Sequence, residues 1–319
     1  MRVITRLMKP ASVAVALAAV ALAGTGCSSS TNSTSASTAA AANGSAEPTM
    51  SLPTTVIPPQ APVAAIVAMV PASIKSTGTL TVAAASYPPD EFLAPGTSTL
   101  VGMDPDLATA IAQTMGLKPK FVHAVFATIL PGVIAGTYDM GASSISDTLA
   151  RQQTVDFVTY YSAGEQFFVK TGGTMARSGL VSPCGHSIAV MGGTIQEAAA
   201  KVQATQCVAG GKATVTIHTF ATQAQANTAL ADGVAEVGFT DSPAVAYTVS
   251  TSHGVFQTYG EPFNAAPYGL ALGKGNGMTA PVQAALNALI ADGVYGQILT
   301  KWGLQAGAVQ TASINGAIH

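Results

Sequence analysis

From Ser73 onward, short apolar strands alternate with helical patterns, and this alternation limits the folds open to the chain more than any other feature. A strand followed by a helix and then another strand returns parallel to its neighbour, which builds an α/β sheet with helices on its faces. Strands are predicted at Thr79–Ala84, 121–125, 138–142, Ser187–Met191, 214–218, 235–240 and 268–272. Helices are predicted from Asp104-Pro105-Asp106, with Leu107, Ile111 and Met115 on one face and Gly116 at the end, and again over 127–135, 222–231, 242–249, 281–291 and Val294–Trp302. Thr194 and Glu197 have the spacing of a capping box, so another helix starts there. Ligands of such sheets bind beyond the carboxyl ends of the strands. Tyr87, residues 143–146, residues 194–196 and Asp241 all stand just after strands. They are far apart in sequence, and a cleft between two sheets would bring them together.

The length of 319 residues suits two lobes of ordinary size. A net charge of -2 with 9% charged residues offers no basic surface for nucleic acid. The mean hydropathy of +0.40 comes from Ala and Val spread along the chain, and no apolar run reaches the ~20 residues of a spanning helix. The start differs. Arg2, Arg6 and Lys9 precede a short apolar stretch at 11–23, the order of a secretion signal over residues 1–26. It ends in Leu22-Ala23-Gly24-Thr25-Gly26-Cys27. This resembles a lipobox with Gly24 where Leu is usual, and it makes Cys27 the predicted lipidation site. Lipid chains there would anchor an exported protein to the outer face of the plasma membrane, each buried methylene contributing ~0.8 kcal/mol. Residues 27–72 are rich in Ser, Thr, Ala and Pro and nearly free of charge and aromatics, so they are predicted to be a flexible, lipidated tether. Cys184 and Cys207 form an even pair in an exported chain, which favours a disulfide. A metal site or a reactive thiol would need His or Cys ligands at metal spacing, and none stands nearby.

Several motifs follow one another in the folded part. Thr79-Leu80-Thr81-Val82 and Ser86-Tyr87-Pro88-Pro89 form an opening strand and an aromatic turn. Gly102-Met103-Asp104-Pro105-Asp106-Leu107 opens a helix, and Tyr138-Asp139 leads through Ser146 and Arg151 to Val155-Asp156-Phe157 and Tyr160-Tyr161. Gly193-Thr194-Ile195-Gln196-Glu197, Asp241-Ser242-Pro243, Pro267-Tyr268-Gly269-Leu270-Ala271 and Trp302 complete the series. In this order and spacing over 73–304, the chain resembles the family 3 solute-binding proteins, the polar amino-acid binders of ABC importers. The resemblance implies a two-lobe, periplasmic-binding-protein-like (type II) α/β fold. Lobe 1 would comprise 73–162 and 268–319, lobe 2 would comprise 166–261, and the hinge strands would lie at 163–165 and 262–267.

The resemblance also implies a binding site. Arg151 offers a planar fork for the ligand carboxylate, with backbone N–H groups of Ser146 and Ile195 beside it and the Thr194 hydroxyl as an added donor. Asp241 would take the ammonium, helped by Ser143 and Ser144. Tyr87 and Phe126 would sandwich the side-chain stem, and Gln196 would reach its end. Two positions depart from the family. Ala84 replaces the acid of basic amino-acid binders, and Asp90 stands where an aromatic is usual, which makes it a candidate selectivity residue. These departures favour a neutral polar ligand such as glutamine or asparagine, with glutamate and aspartate open.

The expected partners are therefore a small amino acid and an importer permease, with the membrane contacted through the lipid alone, the protein acting as a monomer, and no metal or cofactor required. Two other functions use the same scaffold. A cyclohexadienyl dehydratase would need a general acid, for which Glu165, Asp90 and Glu197 are the candidates. A sensor would need a separate membrane receptor.

Overall fold

The computed structural model describes residues 52–178 and 182–317. The predicted secretion signal, Cys27 and the first part of the tether lie outside the described residues. The elements in chain order begin with α1 (Ala64–Met69), α2 (Ala72–Thr77), β1 (Thr79–Ala84), β2 (Phe92–Leu93), β3 (Leu100–Val101), α3 (Met103–Thr114), β4 (Lys118–His123), α4 (Phe126–Ile134) and β5 (Met140–Gly141). The long β6 (Val155–Lys170) leads to α5 (Thr174–Ser178), β7 (Ser187–Met191), α6 (Ile195–Ala209), β8 (Thr216–Phe220), α7 (Gln223–Ala231), β9 (Val237–Asp241) and α8 (Ser242–Thr251). The equally long β10 (Phe256–Gly273) returns the chain to α9 (Thr279–Ala291) and α10 (Val294–Trp302).

The main sheet has the order β4-β1-β5-β10-β6-β9-β7-β8. On one side β1 pairs parallel with β4 and β5, and on the other β7 pairs parallel with β8 and β9. Two lobes result, joined by β6 and β10, which run antiparallel to each other through both. Their ladder breaks register between Tyr259 and Phe263 and again between Phe263 and Ala266. These irregularities fall where the strands pass from one lobe to the other. Each lobe has its own core. Leu80, Val82, Met103, Leu107, Ile111, Leu270 and Leu286 are fully buried in the first, and Val190, Val237, Ile188 and Cys207 sit in the second.

Local sequence explains the elements that carry the site. Thr222 caps α7 with a reciprocal capping box to Gln225. Thr194 caps α6 by accepting from the N–H of Glu197, whose carboxylate turns back to the N–H of Gly193. Gly102 has φ 135°, and a Cβ there would collide with the backbone carbonyl of Asp90. A glycine is what lets the 87–91 turn close on the start of α3.

The structure corrects two expectations. The predicted tether does not stay loose to residue 72. Val63 donates its N–H to the Thr114 carbonyl (3.0 Å), Gln60 donates to the Gln113 side chain (2.8 Å), and Ile66 and Val70 enter the core of lobe 1. Low charge and few aromatics did not prevent folding, because Ile66 and Val70 recur at helical spacing on a lobe with an apolar face to cover. Nor does α3 begin at Asp104. Asp104 lies inside the helix, which starts at Met103 after Gly102, and its carboxylate turns to other work described below.

Cys184 and Cys207 form a disulfide with Cα atoms 5.6 Å apart, closing a loop across a separation of 23 residues. It ties the segment before β7 to the buried face of α6. Closing a loop of this length should add roughly 3 kcal/mol to stability. Replacing both cysteines by serine should lower the denaturant midpoint accordingly, measured by guanidinium unfolding. An unchanged midpoint would show that the bridge does not constrain the unfolded chain.

Candidate functional site

Between the lobes lies a narrow, partly open cavity with about 10 Å³ of free space. Its walls are Tyr87, Phe126, Ser143, Ser144, Ser146, Arg151, Thr194, Ile195, Gln196 and Asp241, together with Met191. All ten residues that the resemblance implied as ligand contacts are thus brought to one place, and Met191 joins them unforeseen. Lobe 1 supplies the loops after β1 and β5, the first residue of α4 and the turn at Arg151. Lobe 2 supplies the β7–α6 connection and the end of β9.

Asp241 is the carboxylate of this cavity. It is buried, and its oxygens accept from the Gln196 amide (2.7 Å) and the Tyr87 hydroxyl (3.1 Å). The Tyr87 oxygen in turn accepts from the Asp241 N–H (2.9 Å) and lies 2.6 Å from the Thr240 hydroxyl. Tyr87 and Asp241 belong to different lobes, so these bonds cross the cleft. Burial raises the Asp241 carboxyl, while neighbouring donors and the charge of Arg151 oppose that rise.

Arg151 lines the same cavity as Asp241. Its guanidinium donates to the Ser146 carbonyl (2.7 Å) and, across the cleft, to the Gly193 carbonyl (2.9 Å). Its carbon lies 6.0 Å from the centre of the Phe126 ring, within range of a cation–π contact. Burial lowers its pKa, and the charges of Asp241 and Asp147 act in the other direction. Beside it, the first turn of α6 directs backbone N–H groups at the cavity, the usual anion-binding end of a helix. The Thr194 hydroxyl donates to the Met191 carbonyl (2.7 Å) while it caps the helix.

The serine loop is held from behind. The Ser143 and Ser144 hydroxyls donate to the two oxygens of Glu91 (2.6 and 3.2 Å), and Ser143 also accepts from the Ala85 N–H (3.0 Å). The Ser144 N–H donates to Asp104 (2.8 Å), on the same oxygen that accepts from the Tyr160 hydroxyl (2.9 Å). The serine hydroxyls therefore anchor the loop, and both residues line the cavity. Glu91 was not singled out in the sequence. Its signal was an acid set directly against Phe92 and Leu93 with no basic neighbour.

Other expected residues lie elsewhere. Asp90 is absent from the cavity wall. It is fully buried beneath it, with neither carboxylate oxygen hydrogen-bonded among the described residues. Burial, then the charges of Asp104 and Asp241, push its carboxyl well up. The backbone carbonyl of Asp90 accepts from Asp104, which holds the turn so that the side chain points inward. Glu165 pairs with Asn264 (3.1 Å) between β6 and β10, and Glu197 pairs with Lys201 (2.7 Å). None of the three candidate general acids lines the cavity.

Burial raises the Asp104 carboxyl from 3.8 to about 7. The folded protein then holds a proton that the unfolded chain releases, so this contribution to stability is full below about 4 and is lost as pH rises toward 7. Asp104→Asn should flatten the pH dependence of unfolding free energy between those limits. A slope equal to that of the parent, in denaturation series at several pH values, would contradict the assignment.

With this geometry the chain can be set beside known proteins. It is 35% identical over 259 residues to the arginine-binding protein ArgT of Corynebacterium glutamicum, covering 80% of this chain and 84% of the relative. It is 28% identical over 213 residues to the ABC transporter glutamine-binding protein GlnH of Bacillus subtilis, covering 65% of this chain and 74% of that one. A solved structure of an ancestral arginine-binding protein bound to arginine superposes with a TM-score of 0.64 at 31% identity, over 70% of this chain and 98% of that one. Residues 80–305 match the bacterial extracellular solute-binding proteins, family 3. The chain belongs to that family, and it is a polar amino-acid-binding component of an ABC transporter.

Proposed function

We propose that this protein is an exported, lipid-anchored monomer that closes its lobes on one polar α-amino acid and hands it to an importer permease. One observation carries the reading. A half-buried arginine and a buried aspartate, from opposite lobes, line one small cavity. An α-amino acid carries the matching pair of charges. Arg151, with the N–H groups of Ser146 and Ile195, would hold the carboxylate by charge-assisted bonds. Asp241, with the acceptors of Ser143 and Ser144, would hold the ammonium. A ligand touching both lobes favours closure only through contacts that the open form lacks, and this division of charges between lobes supplies such contacts.

For the side chain, the walls offer Tyr87, Phe126, Met191 and Gln196. Asp241 is the one carboxylate among the described lining residues, and the ammonium takes it. A neutral polar side chain of the glutamine type suits this wall, the Gln196 amide being the group of matching chemistry. A second reading, arginine, is favoured by the relatives that carry that name at 35% and 31% identity; its stem would stack on the two aromatic rings. The wall supports a binder over a dehydratase, because none of Glu165, Asp90 and Glu197 reaches the cavity.

A thermal-shift screen of the twenty amino acids should show stabilisation by a polar one, since a ligand at 100 times its Kd adds about 2.7 kcal/mol. No shift with any of them would sink the reading. Arg151→Ala and Asp241→Ala should each weaken that ligand by about 30-fold or more, because each leaves a buried charge of the ligand unpaired. Calorimetry on the two variants checks this, and parental affinity in either would remove that residue from the clamp.

A further inference from the structure

The family match ends at residue 305, yet the chain continues as a strap that returns to the binding loop. After the turn at Gln305–Gly307, the backbone runs beside β6, forming bridges from Ala308 to Tyr161 and from Ile314 to Val158. It is fastened at several points. The Val309 N–H donates to the Tyr295 hydroxyl (3.0 Å), and buried Ala312 is held by Asn287 and Gln283 (2.9 Å each). Ser313 exchanges bonds with Thr159, its carbonyl accepting from the Thr159 N–H (2.8 Å) and its N–H donating to the Thr159 hydroxyl (3.0 Å). Asn315, with φ 51°, turns the chain while its side chain accepts from the Phe157 N–H (2.8 Å) and donates to Asp156 (3.1 Å).

That turn delivers the strap to one residue of the site loop. The Ala317 N–H donates to one oxygen of Asp147 (3.1 Å), and the other oxygen accepts from Gln152 (2.7 Å). Asp147 is 1% exposed, and its N–H donates to the Pro267 carbonyl (2.8 Å). Its chain neighbour is Ser146, whose carbonyl accepts from Arg151, and Gln152 follows Arg151 directly. Asp147 therefore links the strap to both ends of the segment that carries the carboxylate-binding groups. Gly316 and Ala317 also line the crevice that reaches Ile195 of the opposite lobe.

We infer that the strap 308–317 is a positioning device for the carboxylate-binding loop, acting through Asp147. This rests on the proposed amino-acid site. Without the strap, Ser146 and Arg151 would spend only part of the time in the binding arrangement, and apparent affinity falls by that fraction. A ligand that lacks the carboxylate makes no use of the arrangement and should not notice.

The test is a chain ended after Asn315, alone and combined with Asp147→Ala, with Asp147→Ala in the full chain as the second variant. Calorimetry and competition measure Kd for L-arginine, L-glutamine and their α-carboxamides. The shortened chain should bind the parent's preferred amino acid about tenfold more weakly and the amide unchanged, and Asp147→Ala should do the same. The combination should lose no more than the worse single change, the signature of two residues acting as one unit. Unchanged affinity for the acid, or an equal loss for acid and amide, would overturn the inference. If the shortened chain does not fold, the acid-to-amide ratio in Asp147→Ala decides it alone. A parent protein that binds neither amino acid would overturn the site reading itself, and the strap's role with it.

Discussion

The antiparallel pairing of β6 with β10 is the constraint on which the rest depends. Both strands belong to two cores at once. Along β6, Val158 and Tyr160 enter the core of lobe 1, and Val169 enters that of lobe 2. Neither lobe can shift without bending this ladder. The bends already exist as register breaks around Phe263, where bulges weaken and twist a strand pair. Two of the three irregularities of the ladder cluster between the lobes, and the third falls at Tyr268–Gly269, inside lobe 1.

The second organising force is the cost of burying charge. Glu91, Asp90 and Asp104 are all fully buried in lobe 1, and Asp241 lies close by in lobe 2. Burial dominates the carboxyl shifts of all four, and each is raised. Glu91 and Asp104 repay part of that cost by accepting from the Ser143–Ser144 loop and Tyr160, so the acids give the loop its shape. Arg151 is the cation in the cavity wall, and its bonds to Ser146 and Gly193 reach both lobes. The same desolvation that raises the acids makes a paired, fully hydrogen-bonded ligand a good solution for Asp241 and Arg151.

Much of this was legible in the sequence because the signals are local. The extents of β1, β7 and α10 follow from hydrophobic periodicity and neighbouring glycines, and Thr194 announces α6 through its spacing to Glu197. Tyr87, residues 143–146, residues 194–196 and Asp241 were legible because an α/β sheet presents them at strand ends, and Phe126 and Arg151 because the chain resembles the family. What escaped depends on contacts distant in sequence. Glu91 meets Ser143 and Ser144 more than fifty residues later, and no pattern around Glu91 shows it. Ile66 and Val70 lie in a stretch whose composition resembles a tether, and only the apolar face of lobe 1 makes them core residues. Asp90 was placed near the ligand because it stands where the family usually has an aromatic, but the turn at 87–91 carries Tyr87 to the cavity and Asp90 away from its wall.

By itself, then, the sequence determined the α/β class, the order of strands and helices, the cysteine pair and the identity of the charged residues able to hold an amino acid. The class, the element order and the cysteine pair follow from side-chain periodicity and chemistry, which operate over a few residues, and the charged residues follow from the resemblance to the family. Only the tertiary structure decided that Arg151 and Asp241 line one cavity, that Asp147 joins the strap to the binding loop, and that Asp90 is hidden from the cavity. Each of these depends on which surfaces the long β6–β10 ladder brings together, and a chain has no local record of where its distant segments will meet.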